Sequence, residues 1–431
     1  MDRQRIVDND IAVFRAQASD QPAILLQNEI RPYAWGSTTA IPALLGVEPT
    51  GEPQAELWMG AHPGAPSRLR YGQAIGSALP TLLSQVEADP VGELGAEVVA
   101  ELGTRLPFLL KVLAAEQPLS LQAHPSTEQA RVGYAEEDER GVPIDARHRN
   151  YKDTSHKPEV LCALTPFEAL CGFRTTARTV RLLEGLGVSG LAPYVRALCA
   201  RPGSDGLREV VTGLLAAPTP VRRKLVVAVV DACRRAQTDP HNEFAAEYTW
   251  GTRLGDRYPD DVGVVIALLM NLVRLRPGEA VFLPAGNLHA YLFGVGVEIM
   301  ANSDNVLRGG LTVKHVDVPE LLRVLDFTDG PEYRPEVHVL PTGEEVYDAP
   351  VREFRLSRLP LRPDRSVTLG TPGPQILLVA DGEVRVSGQH GRLSLPRGSS
   401  AYVSAGRPPI TVSGEGLLFR AITNVGEPAE L

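Results

Sequence analysis

At 431 residues, 43% of them hydrophobic, the chain is long enough for two or three domains with sizeable cores, which excludes a disordered or fibrous protein. Its formal net charge of -9 comes from interspersed acids and bases without a long basic block. That argues against nucleic acid or a membrane surface as partner and for a small soluble molecule. With 40 Gly and 36 Pro among scattered Val and Leu, many short strands joined by turns are expected.

The first twenty residues, "MDRQRIVDNDIAVFRAQASD", lack an apolar core of signal-peptide length, so residues 1–22 read as a tail or helix without assigned function. From Ile24 to Arg174, short apolar runs are broken by Pro and Gly, as in "RPYAWGS" and "GAHPGAPS", a punctuation of strands and loops. In "PLSLQAHPS" (Pro118 to Ser126) an extended backbone turns Leu119, Leu121 and Ala123 to one face and Ser120, Gln122 and His124 to the other. One face is core; the other is wholly polar. The stretch "AEEDERGVPIDARHRNYKD" reads as an acidic loop. After it, Pro158 disfavours a helix at Lys157, so Lys157 and Glu159 share one face and His156 takes the other. A surface ion pair is the commoner fate of such a Lys and Glu.

From Thr175 the period changes. Leu207, Val210, Val211, Leu214 and Leu215 fall at helical spacing, and "RRKLVVAVVDACRRA" and "DDVGVVIALLMNLVRL" read as further helices, the last capped by Asp260 or Asp261. This predicts a helical insertion over residues 175–274; its most apolar window is too short to span a bilayer. Strands resume at "AVFLPAG". His289 and Tyr291 then share a strand face, and a hairpin turn at "FGVG" would bring Glu298 and Met300 beside them on the next strand. Arg308, followed by Gly309 and Gly310 and with Lys314 nearby, suits a phosphate, although most Arg residues simply lie on solvated surface.

The last hundred residues are again β-like, with Asp381-Gly382 in "LLVADGEVRV" predicting a hairpin turn. "PGEAVFLPAGNLH" and "RGSSAYVSAGRPP" share glycines at equal separation, Gly278/Gly286 and Gly398/Gly406, a match that chance explains as readily as duplication. In this alignment His289 faces Pro409. Only His338 and His390 occur in the C-terminal region, so no second metal site is expected there. Cys162, Cys171, Cys199 and Cys233 form no C-x-x-C pair and read as reduced thiols of a cytoplasmic protein.

Gln122 and His124, joined by distant Glu159 and His289, would offer four N/O donors suited to zinc. Gln is an uncommon ligand, and on spacing alone hydrogen-bonded polar groups of a core remain the favoured reading. At these residues the sequence resembles the type I mannose-6-phosphate isomerases, the zinc-dependent phosphomannose isomerase family of the cupin superfamily. The resemblance lies in "YAWGS", "AELWMGAHPGAPS", "LPFLLKVL", "PLSLQAHPS", "HKPE", "CGFR", "LPAGNLHAYL" and "MANSDNVLRGGLT", in order from Tyr33 to about Lys314.

The resemblance implies a mainly β fold with an α-helical insertion: two cupin-type jelly-roll barrels plus a helical domain. The catalytic barrel would comprise residues 23–174 and 275–330, and a C-terminal barrel without a metal site residues 331–431. It implies one zinc ion per chain on Gln122, His124, Glu159 and His289. It further implies catalysis by Arg308, with Lys157, Glu298, Trp35, Glu56, Lys111, Ser120, Tyr291, Asp304 and Lys314 lining the pocket. The implied reaction interconverts mannose 6-phosphate and fructose 6-phosphate through a cis-enediol in a monomer acting on a small sugar phosphate. Glu298 is the favoured base, with Lys111 or a metal-held water as alternatives, and Arg308 or Lys157 would stabilise the enediolate. A non-catalytic sugar-binding bicupin, an isomerase of a related sugar phosphate and a metal dioxygenase are the competing readings; Gln among the ligands disfavours the last.

Overall fold

The computed structural model describes residues 21–70, 79–370, 372–389 and 391–425, so the sequence expectation for the N-terminal tail falls almost wholly outside the described residues. In chain order the first strands are β1 (Ile24–Gln27), β2 (Glu29–Arg31), β3 (Glu56–Met59), β4 (Arg68–Arg70), β5 (Phe108–Ala115) and β6 (Leu121–Ala123). They are followed by β7 (Glu159–Ala163), β8 (Phe167–Phe173), β9 (Met270–Leu275), β10 (Ala280–Leu283), β11 (His289–Ala301) and β12 (Leu307–Gly310). The C-terminal part adds β13 (Val337–Val339), β14 (Glu345–Tyr347), β15 (Arg355–Leu361), β16 (Ser366–Leu369), β17 (Gln375–Gly388), β18 (Gly391–Pro396), β19 (Ser400–Val403) and β20 (Ile410–Ile422).

These strands form two antiparallel sheets. One runs β10-β7-β11-β5-β3-β2, with β6, β8, β9 and β12 attached through β11. The other runs β13-β14-β15-β20-β17-β19-β1-β4, with β16 on β20 and β18 on β17. The N-terminal strands β1 and β4 thus belong to the C-terminal sheet: Ile24 pairs with Tyr402 and Leu25 with Ala401. This corrects the boundary that gave residues 23–174 wholly to the first barrel. Strand pairing is long-range and leaves no local mark in the sequence.

Between β8 and β9 lies a run of helices. Ser204–Ala216 buries Leu207, Val210, Val211, Leu214 and Leu215, as the spacing predicts, and Thr219–Ala236 buries Leu225, Val226, Val229 and Val230. The window "DDVGVVIALLMNLVRL" is not one helix. It forms a short helix, Gly263–Ala267, and then crosses into β9, so the helical segment ends before residue 274. A continuous apolar run carries no period to separate the two forms. Asp261 does serve that helix, its Oδ1 accepting the Gly263 amide at 2.7 Å. The stretch expected as an acidic loop begins as helix: Thr127–Glu139 is capped by Ser126, with Gln129 closing the capping box.

Two predicted hairpin turns are also absent. "FGVG" lies inside β11, which runs unbroken from His289 to Ala301 and bends where its register shifts between Tyr291 and Phe293. Gly294, at φ +119°, is needed there, because a Cβ would stand 2.6 Å from the Pro166 carbonyl oxygen. Likewise Asp381-Gly382 lies inside β17, paired with Leu417 and Gly416 directly after a register shift between Val379 and Asp381. A glycine that bends a strand and one that ends it look alike in sequence.

The bend makes β11 a member of two layers. Before it, Ala290 and Leu292 join Leu121 and Ala123 of β6 and Leu307 of β12 in the core of the helical segment. Beyond it, Val297 and Ile299 join Leu110 and Val112 of β5 and Cys162 of β7 in a core shared with Tyr347, Ile376 and Phe419 of the second sheet. The alternate residues of all these strands point the other way, into one interior. Full burial stabilises each such Val or Leu by roughly 1.5–3 kcal/mol, so both outer layers hold the interior face in place.

Candidate metal centre and cavity

That interior face carries the polar residues. On β6, Gln122 lies opposite His289 of β11 and Arg308 of β12, while Glu159 opens β7 opposite Met300 of β11. His124, Glu159 and His289 are buried, and among the described residues they are the one group of His, Cys, Asp and Glu whose ligand atoms all lie within 4.8 Å of one another. His124 Nε2 is 3.4 Å from Glu159 Oε1, and His289 Nε2 is 3.5 Å from Glu159 Oε2. Four-coordinate zinc, with its N and O ligands at about 2.0–2.2 Å, keeps neighbouring donor atoms roughly 3.4 Å apart.

The hydrogen bonds of the two rings fit a metal as well. Nδ1 of His124 is 2.6 Å from the Asn305 carbonyl oxygen, and Nδ1 of His289 is 3.0 Å from that of Asn287. Each Nδ1 therefore donates, leaving the Nε2 lone pair free. Both Nε2 atoms are buried without a hydrogen-bond partner. Two orphaned imidazole nitrogens on one carboxylate are costly unless a cation completes them. Burial lowers His124, helped by Lys157, and lowers His289 to about 4 against the pull of Glu159. Burial opposes charge on Glu159 too, but Lys157 and His124 outweigh it and hold the carboxyl well below its usual range. The Lys157–Glu159 pair, expected at the surface as the ordinary case, is buried, with Nζ 3.0 Å from Oε1.

Beside this group lies a second polar cluster. Lys111 Nζ on β5 donates to Glu298 Oε2 at 3.1 Å and stands 3.9 Å from Glu56, and the Tyr291 hydroxyl donates to Glu298 Oε1 at 2.7 Å. Glu298 is therefore not on a strand neighbouring that of His289. It lies on the same strand, beyond the bend, and meets Tyr291 instead. Burial raises Glu298 above an ordinary carboxyl, with Lys111 resisting; burial alone would lower Lys111, but Glu56 and Glu298 raise it overall.

A cavity of about 690 Å³ opens over both clusters. Of the residues singled out in the sequence, Trp35, Glu56, Lys111, Ser120, Gln122, Lys157, Glu159, Tyr291, Glu298, Asp304, Arg308 and Lys314 all line it. His124 and His289 do not; they sit behind Glu159 as fully buried supports. Sequence reasoning missed Trp58, whose Nε1 donates to Glu56 Oε2 at 2.7 Å. It also missed His62, which packs on Trp58 and puts Nε2 3.2 Å from Asp304 Oδ1. Both stand in "AELWMGAHPGAPS": alternation along β3 puts Trp58 on the face of Glu56, but no spacing rule links His62 to Asp304. Arg257 and Tyr258 also line the cavity, from the helical segment, where the sequence offered no signal.

Comparison with known proteins agrees with this geometry. Residues 24–176 match the family model of the phosphomannose isomerase type I catalytic domain. The chain is 39% identical over 399 residues to mannose-6-phosphate isomerase of Escherichia coli, covering 92% of this chain and 98% of that protein. It is 32% identical to the rat protein of the same name over 91% of this chain and 96% of the relative. A crystal structure of mannose 6-phosphate isomerase from Salmonella typhimurium, bound to fructose 6-phosphate and zinc, superposes with a TM-score of 0.85 at 36% identity, covering 94% of this chain and 100% of the other. Another mannose 6-phosphate isomerase structure, holding zinc and yttrium, gives the same TM-score and identity. The chain belongs to the type I phosphomannose isomerase family.

Proposed function

We infer that this chain is an aldose-ketose isomerase that interconverts mannose 6-phosphate and fructose 6-phosphate with zinc as cofactor. The observation that carries the reading is the pair of orphaned Nε2 atoms on Glu159, set in the wall of a cavity that also holds a buried, raised carboxyl at Glu298. The substrate-bound and zinc-bound Salmonella relative supports the same chemistry.

His124, Glu159 and His289 would hold the zinc, with Gln122 as fourth ligand because it faces His289 across the β6–β11 pair. When bound, zinc supplies Lewis acidity that polarises or orients the sugar oxygens. Glu298 removes the proton from C2 of the open-chain aldose, giving the cis-enediol, and returns it to C1. Meanwhile the O2 hydroxyl proton passes to O1, so that the carbonyl moves from C1 to C2. A carboxyl raised by burial suits that exchange near neutrality. Lys111 and Tyr291 fix its two oxygens. Arg308 or Lys157 stabilises the developing enediolate oxygen, and Ser120 with Lys314 holds the phosphate. Trp35, Glu56 and Asp304 shape the wall around the sugar.

We read the architecture as two cupin-type jelly-roll barrels with a helical domain inserted between β8 and β9, the second barrel completed by β1 and β4. The antiparallel pairing between the named strands supports this. So does the sequence echo, since Gly278, Gly286, Gly398 and Gly406 all take positive φ, between 70° and 89°, around β10 and β19. We read the chain as a monomer, and four unpaired thiols support a cytoplasmic setting.

Ketose formation from mannose 6-phosphate should vanish on chelation and return with zinc. In Glu298→Gln, exchange of the C2 proton with solvent should stop while zinc is retained. Exchange at the wild-type rate would move the base elsewhere, and a zinc-loaded wild type without turnover would favour a sugar-binding protein.

A further inference from the structure

The cavity is unevenly charged. Its inner end pairs Glu56, Glu159 and Glu298 with Lys111 and Lys157. At its other end Arg308 and Lys314 have no acidic partner among the described residues: burial lowers both, and the Arg308 charge lowers Lys314 further. Two neighbouring cations, Arg308 half-buried and Lys314 exposed, without an acid suit an anionic ligand.

Arg257, the exposed last residue of helix Ala245–Arg257, lines the same cavity. Its Nη1 donates to Gln117 Oε1 at 3.0 Å, three residues before Ser120. The next residue, Tyr258, accepts the Asp261 amide at 3.1 Å, and Asp261 Oδ2 in turn accepts the Thr312 amide at 3.2 Å, two residues before Lys314. Arg257 is thus braced between the segments that carry Ser120 and Lys314. Among the described residues its hydrogen-bond partners are an amide oxygen and the Tyr258 hydroxyl, and no carboxylate pairs with it, so most of its five N–H donors remain available.

We propose that Arg257 is a second cation, beside Lys314, on the substrate phosphoryl group, a specificity residue supplied by the helical segment rather than by the sheet that holds the metal site. This rests on the sugar-phosphate reading above. A phosphate monoester carries about 1.5–2 negative charges at pH 7, and the planar guanidinium can hold two of its oxygens at once.

The test compares zinc-loaded wild type, Arg257→Gln and Arg257→Lys, measuring kcat and KM for mannose 6-phosphate and Ki for inorganic phosphate as competitor. Arg257→Gln should raise KM and Ki about tenfold, the usual order for one charge-assisted hydrogen bond, with zinc content unchanged. Arg257→Lys should fall between, and kcat should stay within about twofold. KM and Ki both unchanged, or a loss confined to kcat, would overturn the assignment. A wild type that neither turns over mannose 6-phosphate nor binds phosphate would overturn the sugar-phosphate reading itself, a result distinct from an active wild type with an indifferent variant.

Discussion

Lowering the pH tests whether His124 and His289 are preset as metal ligands. A free imidazole titrates near 6.5, so between pH 7.5 and 5.5 its neutral fraction falls about tenfold, and a site built from two such rings loses roughly a hundredfold in zinc affinity. Burial has already moved His289 to about 4. At pH 5.5 only about 3% of such a ring is protonated. His124 is lowered too, by burial and then by Lys157, and Glu159 stays a carboxylate far below its ordinary range. Zinc affinity should therefore fall by less than about tenfold across this window and steepen only further down. Competition between apoprotein and a chromophoric chelator at pH 7.5, 6.5 and 5.5 measures it directly. A loss near a hundredfold, the signature of two protons displaced per ion, would refute the preset site. The sign for stability follows. With folded values below the unfolded one, the apoprotein binds fewer protons than the unfolded chain between about pH 4 and 6.5, so its stability rises with pH through that window.

Lys111→Met leaves Glu56 and Glu298 buried without their cation and should cost about 3–5 kcal/mol in urea unfolding, with part recovered in Lys111→Met/Glu298→Gln. Because Glu298 is already raised and loses the opposing charge, the penalty should grow as pH rises from the usual carboxyl value of 4.5; an equal penalty at pH 5 and pH 8 would contradict the buried-pair account. Gln122→Leu conserves volume on a strand whose other face is core, so circular dichroism should be unchanged while zinc affinity drops by at least about tenfold. Wild-type zinc affinity in that variant would remove Gln122 from the ligand set.

Much of this site was legible because strand alternation is local. From Leu121 onward the two faces follow from the backbone alone, Leu121 and Ala123 turning to the helical core and Gln122 to the cavity; Leu119, expected beside them, precedes β6 and lines the cavity instead. The helix over Ser204–Ala216 was legible for the same reason, its five spaced apolar residues being buried together. What stayed hidden depends on contacts distant in sequence. Gly294 reads as a turn until Phe167 and Pro166 are seen packed against it. The pairing of β1 with β19, across more than 370 residues, has no signature at either end. His62 and Arg257 were missed because their partners, Asp304 and Gln117, are fixed by tertiary structure and not by spacing, whereas Trp58 shares a strand face with Glu56 two residues away and was within reach of strand alternation.

The bend in β11 also accounts for the size of a chain whose chemistry occupies one cavity. His289 and Tyr291 precede the bend and Glu298 follows it, so metal support and proposed base are held on one continuous strand. Each half is clamped from outside by a different body: the first by the helical core through Ala290 and Leu292, the second by the C-terminal sheet through Val297 and Ile299. Without that sheet, Leu110, Val112, Val160, Cys162, Val297 and Ile299 would form a contiguous apolar surface on the strands that carry Lys111, Glu159 and Glu298. The Tyr347 hydroxyl closes the same junction, donating to the Gly278 carbonyl at 2.8 Å and lying 3.0 Å from Cys162 Sγ. Among the described residues the second sheet thus lines no part of the cavity, yet it covers the outer face of β5 and β11, whose own pairing sets Glu298 opposite Lys111.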